Sequence, residues 1–259
     1  MSFKSYPRIY FVLLFIAFTL MVGMGLSSSF LSIMAEGLDP TGILAGFVVS
    51  AWFFPRIFME LPSSIISDRI GRPRLLVMGI GMGACGALIC ALSNSIYALI
   101  LGRAIWGLGT ALYFMNNTAL ILDFFDTSTR GHALGVFQGI EFIGSFIAAP
   151  IGAFIAVALG RAGAPRYDMV FYIATGLILA SFLLAFASKD LKRMGKMNKA
   201  EPTMPVRKIL SELKNWDVTV ICVNQASAML ITQGIIGTVL TLYLNQVMKV
   251  ANSSPYYRL

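Results

Sequence analysis

The chain has 259 residues, of which 57% are hydrophobic and only 12% are charged, and its mean hydropathy is +0.77. Soluble domains carry about 25% charged residues, so this composition excludes an ordinary soluble protein and predicts an integral membrane protein. The formal net charge of +8 does not indicate a nucleic-acid partner, because the basic residues lie beside apolar runs, where membrane topology places them.

Seven apolar runs are long enough to cross a bilayer, which takes about 20 residues. The first follows Lys4 and Arg8 and carries no charge from Ile9 through Ala35, which is longer than the apolar core of a signal peptide. We therefore predict an all-α, polytopic fold. The predicted spans cover residues 9–32, 41–67, 75–92, 96–122, 133–159, 169–188 and 218–248.

The distribution of Lys and Arg predicts the orientation. Most of the 20 basic residues fall in the segments before span one, between spans two and three, and after span six, whereas the turn at residues 36–40 contains acids and no Lys or Arg. Positive residues mark the cytoplasmic side, so we expect the N-terminus in the cytoplasm and the C-terminus of this chain outside. The predicted domains are a six-helix bundle (1–188), a basic cytoplasmic linker (189–216) that could include a surface helix at 205–215, and a final segment (217–259).

The segment between spans two and three, residues 67–74, is too charged for hydrocarbon, where one charge costs about 3 kcal/mol or more. Gly71 permits a tight turn, and Pro73 discourages the preceding helix from continuing. This string resembles the loop after helix two of the major facilitator superfamily, with the pattern G-x-x-x-D-R-x-G-R-R/K. The matching residues are Asp68, Arg69, Gly71 and Arg72, while Ser64 replaces the leading Gly and Pro73 displaces the last basic residue to Arg74.

The resemblance implies a secondary transporter with two six-helix bundles, related as parallel repeats, that moves a small organic solute or drug by alternating access. Residues 67–74 would be its conformational-gating loop, and a proton gradient would drive transport. Only the first bundle and one helix of the second are present, so the missing C-terminal half is expected to be required for activity. The open alternative is a truncated, non-transporting fragment or a packing partner of another membrane protein.

Arg103 opens the string R-x-x-x-G-x-G, which resembles a motif on helix four of the same superfamily. An arginine inside a span must find water, an acid or carbonyl groups, and in the family it is associated with proton transfer or substrate binding. Gly107 and Gly109 would let a neighbouring helix pack closely. The alternative is a structural arginine that extends to the outer surface, about two turns away.

Glu141 is the acid of the fifth span, and an acid at this depth is a functional candidate by default. Gln138 lies one turn away and could share a hydrogen bond with it. Glu141 would either couple transport to protons or only stabilise helix packing. Further polar residues predicted to face a substrate or proton pathway are Asn116, Asn117 and Gln233.

Small residues recur every four positions on the fifth span and predict a helix-packing face. Pro150 should bend this helix. The segment around Pro150 resembles a motif of drug:proton antiporters, although the residues beside the proline match that motif only weakly. The residues of the predicted face are Gly131, Gly135 and Gly139, continued by Ser145, Ala149 and Ala153.

The remaining charged and sulfur-containing residues favour structural roles. Arg56 and Glu60 are four residues apart on the second span and can pair with each other. Cys85, Cys90 and Cys222 lie in apolar runs and are expected to be buried thiols without metal. The sequence contains no enzyme constellation, P-loop or cofactor motif, so we expect no enzymatic activity and no cofactor.

Overall fold

The computed structural model describes residues 6–28, 30–39, 43–160 and 167–197, with seven isolated positions between 216 and 231. Two compact units are present, Met1–Glu201 and Pro202–Leu259, and the fold described below is that of the first. The surface helix expected at 205–215, Cys222, Gln233 and the side chain of Asp68 lie outside the described residues. The domain boundaries at 188 and 216 stay predictions.

The described part of the first unit is built of α-helices without β-strands, which confirms the all-α prediction. Five helices, α1 and α4 to α7, are long and apolar enough to cross a membrane. Helix α3 has 28 residues and is therefore about 42 Å long, more than the roughly 30 Å hydrocarbon core. The helices are α1 (Arg8–Ser28), α2 (Leu31–Leu38), α3 (Ile43–Ile70), α4 (Arg72–Ala91), α5 (Ile96–Phe124), α6 (Thr127–Ala158), α7 (Tyr167–Ala187) and α8 (Lys189–Met197).

Several helix boundaries differ from the sequence prediction. The first span, predicted at 9–32, is divided between α1, which ends at Ser28, and α2, which begins at Leu31. The turn expected at 36–40 is partly helical, since α2 continues to Leu38. After the end of α2, the Asp39 carboxylate accepts a hydrogen bond from Leu44 N at 2.7 Å. Helix α6 begins at Thr127, inside the predicted inner loop, and α8 occupies the start of the predicted linker. Hydropathy detects only the part of a helix that lies in lipid, whereas the helix itself can continue into water.

The helix contacts show an internal symmetry. Helices α3 and α4 both pack on α5, and α6 and α7 both pack on α1, while α4 and α7 join the two groups. Exchanging α1 with α5, α3 with α6 and α4 with α7 reproduces these contacts, as expected for two inverted three-helix repeats. Helix α8 packs on α4 and buries Leu191.

Helices α4 and α5 pack backbone against backbone through glycines. A Cβ atom added to Gly86 would lie 2.5 Å from Trp106 N, and one added to Gly109 would lie 2.5 Å from Gly83 N. A methyl group has no room at these distances, so the close approach depends on glycine. Gly107 likewise faces the Trp52 backbone of α3.

The packing face of α6 lies one residue away from the predicted row. Among the described residues, no atom lies within 4 Å of a Cβ built on Gly135 or Gly139, so packing at these two glycines stays a prediction. Gly144 instead contacts α1, and a Cβ on Gly25 would lie 2.6 Å from the Ala148 methyl group. Both rows repeat every four residues, so spacing alone does not select between them. The other predicted members, Ser145, Ala149 and Ala153, are exposed, although the backbone of Ser145 also contacts Gly25 of α1.

One thiol also differs from expectation. Cys90 is buried, as predicted, but Cys85 is exposed on the surface of the bundle. Helix α4 has apolar residues all round, so hydropathy does not tell which of its faces packs inward.

Candidate functional site

Arg103 is buried inside the bundle and does not extend to the outer surface. Only 6% of its surface is exposed, and its Nε has no hydrogen-bond partner among the described residues. The guanidinium lies 5.6 Å from the ring centre of Trp52 and 5.3 Å from that of Trp106. Two aromatic faces therefore stabilise this cation in place of an acid.

Trp52 lies between two arginine side chains. The Arg56 guanidinium is 5.1 Å from its ring centre and 5.0 Å from that of Phe114. Arg56 also forms the predicted pair with Glu60, with an Nε–Oε1 distance of 2.7 Å. The Arg56–Glu60 pair, which we predicted to be structural, is therefore linked to Arg103 through the indole ring of Trp52.

The indole nitrogens around Arg103 are donors without acceptors. Nε1 of Trp52 and Nε1 of Trp106 are buried and have no hydrogen-bond partner among the described residues. Buried polar groups normally have partners. Arg103 Nε is a third buried donor without a partner among the described residues, and the two indole rings lie against its guanidinium.

Glu141 belongs to a second polar group, connected through Tyr113. The Tyr113 hydroxyl donates to Glu141 Oε1 at 3.1 Å and accepts from Asn117 Nδ2 at 3.1 Å. The Asn117 Oδ1 is buried without a partner in the described part of the chain. Tyr113 and Arg103 are ten residues apart on α5, about 15 Å along its axis, so these are two separate layers of polarity.

The other predicted polar residues divide between structural and surface positions. Asn116 donates to Ser63 Oγ at 3.1 Å and to Leu112 O at 2.7 Å, so it ties α5 to α3. Gln138, the expected partner of Glu141, is exposed on α6. The hydrogen bond that the structure describes for Glu141 is instead with Tyr113.

The predicted gating loop is anchored to α5. Arg72 pairs with Asp123 and also donates to Ala119 O at 3.0 Å. Gly71 adopts a φ of 96°, a conformation that favours glycine, and separates α3 from α4. Arg69 and Arg74 are exposed. The loop therefore connects the end of α3, the start of α4 and the end of α5.

Sequence reasoning missed the side chains that connect the predicted residues. Trp52 stands four residues before Arg56, and Tyr113 stands four residues before Asn117. Side chains four residues apart lie on the same helix face. This spacing was the signal in the sequence that could have indicated Trp52 and Tyr113. The contacts of Arg103 with Trp52 and of Glu141 with Tyr113 join different helices, and no local pattern in the sequence predicts them.

Comparison with known proteins identifies the family from the sequence. The sequence profile described as the Major Facilitator Superfamily matches residues 13–257. The chain is 35% identical over 111 residues to the inner membrane transport protein YajR of Escherichia coli, covering 42% of this chain and 24% of that protein. It is 24% identical over 175 residues to the quinolone resistance protein NorA of Staphylococcus aureus, covering 68% of this chain and 43% of that protein.

The fold also resembles that of a solved transporter. The crystal structure of the peptide transporter POT in complex with sulfate superposes with a TM-score of 0.63 and 19% identity, covering 98% of this chain and 54% of that chain. At this identity the likeness concerns the fold alone. The chain spans less than half of the length of YajR and NorA and about half of the peptide transporter.

Proposed function

Because this chain belongs to the major facilitator superfamily, we propose that it forms the first bundle of a secondary transporter. The transporting unit contains a second six-helix bundle and moves a small organic solute by rocking of the two bundles, which exposes the solute to each side in turn. The name of the Staphylococcus relative, a quinolone resistance protein, supports a drug-like organic substrate and efflux across the cell membrane.

The observation that carries this proposal is the buried group around Arg103. The Arg103 guanidinium lies against Trp52 and Trp106, and its Nε has no partner among the described residues, so it could bind an acceptor group on an organic solute. The two indole rings would hold the guanidinium in place, and its unpartnered Nε would bind and orient the acceptor group. The loop at residues 67–74 and its contacts with α5 would gate the conformational change.

Glu141 is proposed as the proton-coupling residue. Its carboxyl group lies inside a membrane span, where acids serve as proton relays, and the bond with Tyr113 holds it on the α5 side of α6. Water that enters from one side could exchange the proton, and the change of charge would pass from Glu141 to Tyr113 and Asn117 on α5.

The orientation proposed from the sequence has structural support. Contacts bring the start of α1 to the start of α6, through a 2.7 Å bond from the Tyr10 hydroxyl to Ala133 O. The Arg72–Asp123 pair brings the start of α4 to the end of α5. One end of the bundle therefore gathers the basic residues, and we assign it to the cytoplasm.

Transport by the full-length protein in vesicles tests the proposal. A pH gradient should drive uptake of a fluorescent organic probe, and Glu141→Gln should reduce that uptake to the rate of empty vesicles. Exchange of labelled for unlabelled probe without a gradient should continue in Glu141→Gln, because it needs binding and rocking but no net proton movement.

One control completes the test. Asp126→Asn makes the same carboxyl-to-amide change at an exposed position just before the same helix and should leave both activities unchanged. If Glu141→Gln transports with the gradient as well as the unmodified protein, proton coupling through Glu141 is wrong. If a broad panel of organic solutes shows no flux, the alternative of a packing partner that transports nothing is favoured.

A further inference from the structure

A groove at the basic end of the bundle lies apart from both polar groups. It has a volume of about 700 Å³ and runs between α1 and the junction of α7 with α8. This volume is within the range of small-molecule sites. Its apolar wall comes from one face of α1 and the end of α7, with Phe11, Phe15 and Leu184 as its large side chains.

The apolar wall of the groove also forms part of the bundle surface. Phe15 is 59% exposed, and Phe11 and Leu184 are each 43% exposed. From Arg8 to Phe15 the wall extends about 10 Å along α1. In a membrane-spanning bundle, such side chains lie against lipid chains.

The mouth of the groove is charged. Arg8, Lys189 and Asp190 all line it, and among the described residues none of the three forms an ion pair with another. Their net charge is positive by one. The mouth thus presents two cations and one carboxylate directly above an apolar wall, at the level where the sequence predicts the membrane surface.

We propose that this groove binds one anionic phospholipid of the cytoplasmic leaflet. Its phosphate lies between Arg8 and Lys189, and one acyl chain lies along Phe11, Phe15 and Leu184. A singly negative lipid such as phosphatidylglycerol balances the net charge of the mouth, whereas a zwitterionic lipid does not. Basic pockets between membrane helices on the cytoplasmic side are suited to anionic headgroups.

Native mass spectrometry of the purified protein tests this site. The protein is mixed with equal amounts of phosphatidylglycerol and phosphatidylcholine, and the bound lipids are counted. We expect a preference for phosphatidylglycerol. Each of Arg8→Gln and Lys189→Gln should reduce that preference about fivefold, and the double variant about 30-fold, because a basic residue near the membrane surface contributes about 1 kcal/mol.

Two further variants separate the site from general surface charge. Arg193→Gln removes the same charge from the exposed surface of α8, outside the groove, and should leave the preference unchanged. Asp190→Asn should raise phosphatidylglycerol binding, an increase that unfolding does not produce.

Several outcomes would overturn the proposal: equal retention of both lipids, a loss in Arg193→Gln as large as in Arg8→Gln, or no increase in Asp190→Asn. A protein dimer in the spectra that disappears in the Arg8 and Lys189 variants would assign the groove to a second copy instead. The measurement needs no transport, so its result is independent of the proposed function.

Discussion

At the scale of single residues, the energetics of Arg103 favour a functional role over a structural one. Burying an ion costs several kcal/mol, and a cation–aromatic contact returns about 0.5–2 kcal/mol. With two such contacts and no acid partner among the described residues, we expect the burial of Arg103 to lower the stability of the bundle. A side chain that costs stability is expected where function requires it.

The energetic cost of burying Arg103 predicts that replacing this residue changes the stability and the activity of the protein in different ways. Arg103→Met removes the buried charge but keeps a long side chain, so the free energy of unfolding should stay equal or rise by about 1–4 kcal/mol. Binding of an acceptor-bearing solute should be lost, because the charge that orients it is gone. Thermal unfolding in detergent and probe exchange in vesicles measure the two effects.

Leu99→Ala is the matched control on the same helix, since Leu99 is fully buried and uncharged. It should lower the unfolding temperature through the cavity it leaves and keep the exchange activity of the protein that stays folded. If Arg103→Met were destabilised as strongly as Leu99→Ala, Arg103 would be a structural residue.

At the scale of helices, glycine contacts determine how closely α4 and α5 approach. In lipid there is little hydrophobic driving force between helices, so van der Waals packing and small residues decide association. Gly86 and Gly109 sit where a methyl group would meet backbone atoms at 2.5 Å. Backbone atoms cannot rotate away as a side chain can, so the helices themselves would have to separate.

We therefore expect Gly109→Ala to destabilise the bundle by about 1–3 kcal/mol, the usual cost of overpacking. Gly139→Ala, with no described atom within 4 Å, should be neutral or stabilising by up to about 1 kcal/mol, because alanine favours the helix. Thermal unfolding in detergent measures both. Equal destabilisation by the two variants would contradict the assignment of the α4–α5 contact.

At the scale of the whole molecule, the basic end of the bundle predicts its direction in the membrane. The contacts Arg72–Asp123 and Tyr10–Ala133 lie near charged segments of the chain, while α2 follows the opposite end of α1. The positive-inside rule assigns the first end to the cytoplasm.

Cysteine labelling checks this orientation. In a variant without native cysteines, Ile70→Cys, within the predicted gating loop and 40% exposed, should stay protected from an impermeant thiol reagent in intact cells and react after lysis. Gly37→Cys, also exposed, should react in intact cells. Labelling of Ile70→Cys from outside together with protection of Gly37→Cys would reverse the topology.

The sequence by itself determined the all-α, multi-pass architecture and the family, because apolar runs of membrane length and the charged string at 67–74 are local patterns. It also identified Arg103 and Glu141 as candidate functional residues, because a charged side chain is rare within an apolar span. Only the tertiary structure decided their partners, Trp52 and Tyr113, and which row of small residues on α6 faces α1. The physical reason is that partners and packing faces depend on how separate helices rotate against one another, and a helix that is apolar all round does not specify its own rotation.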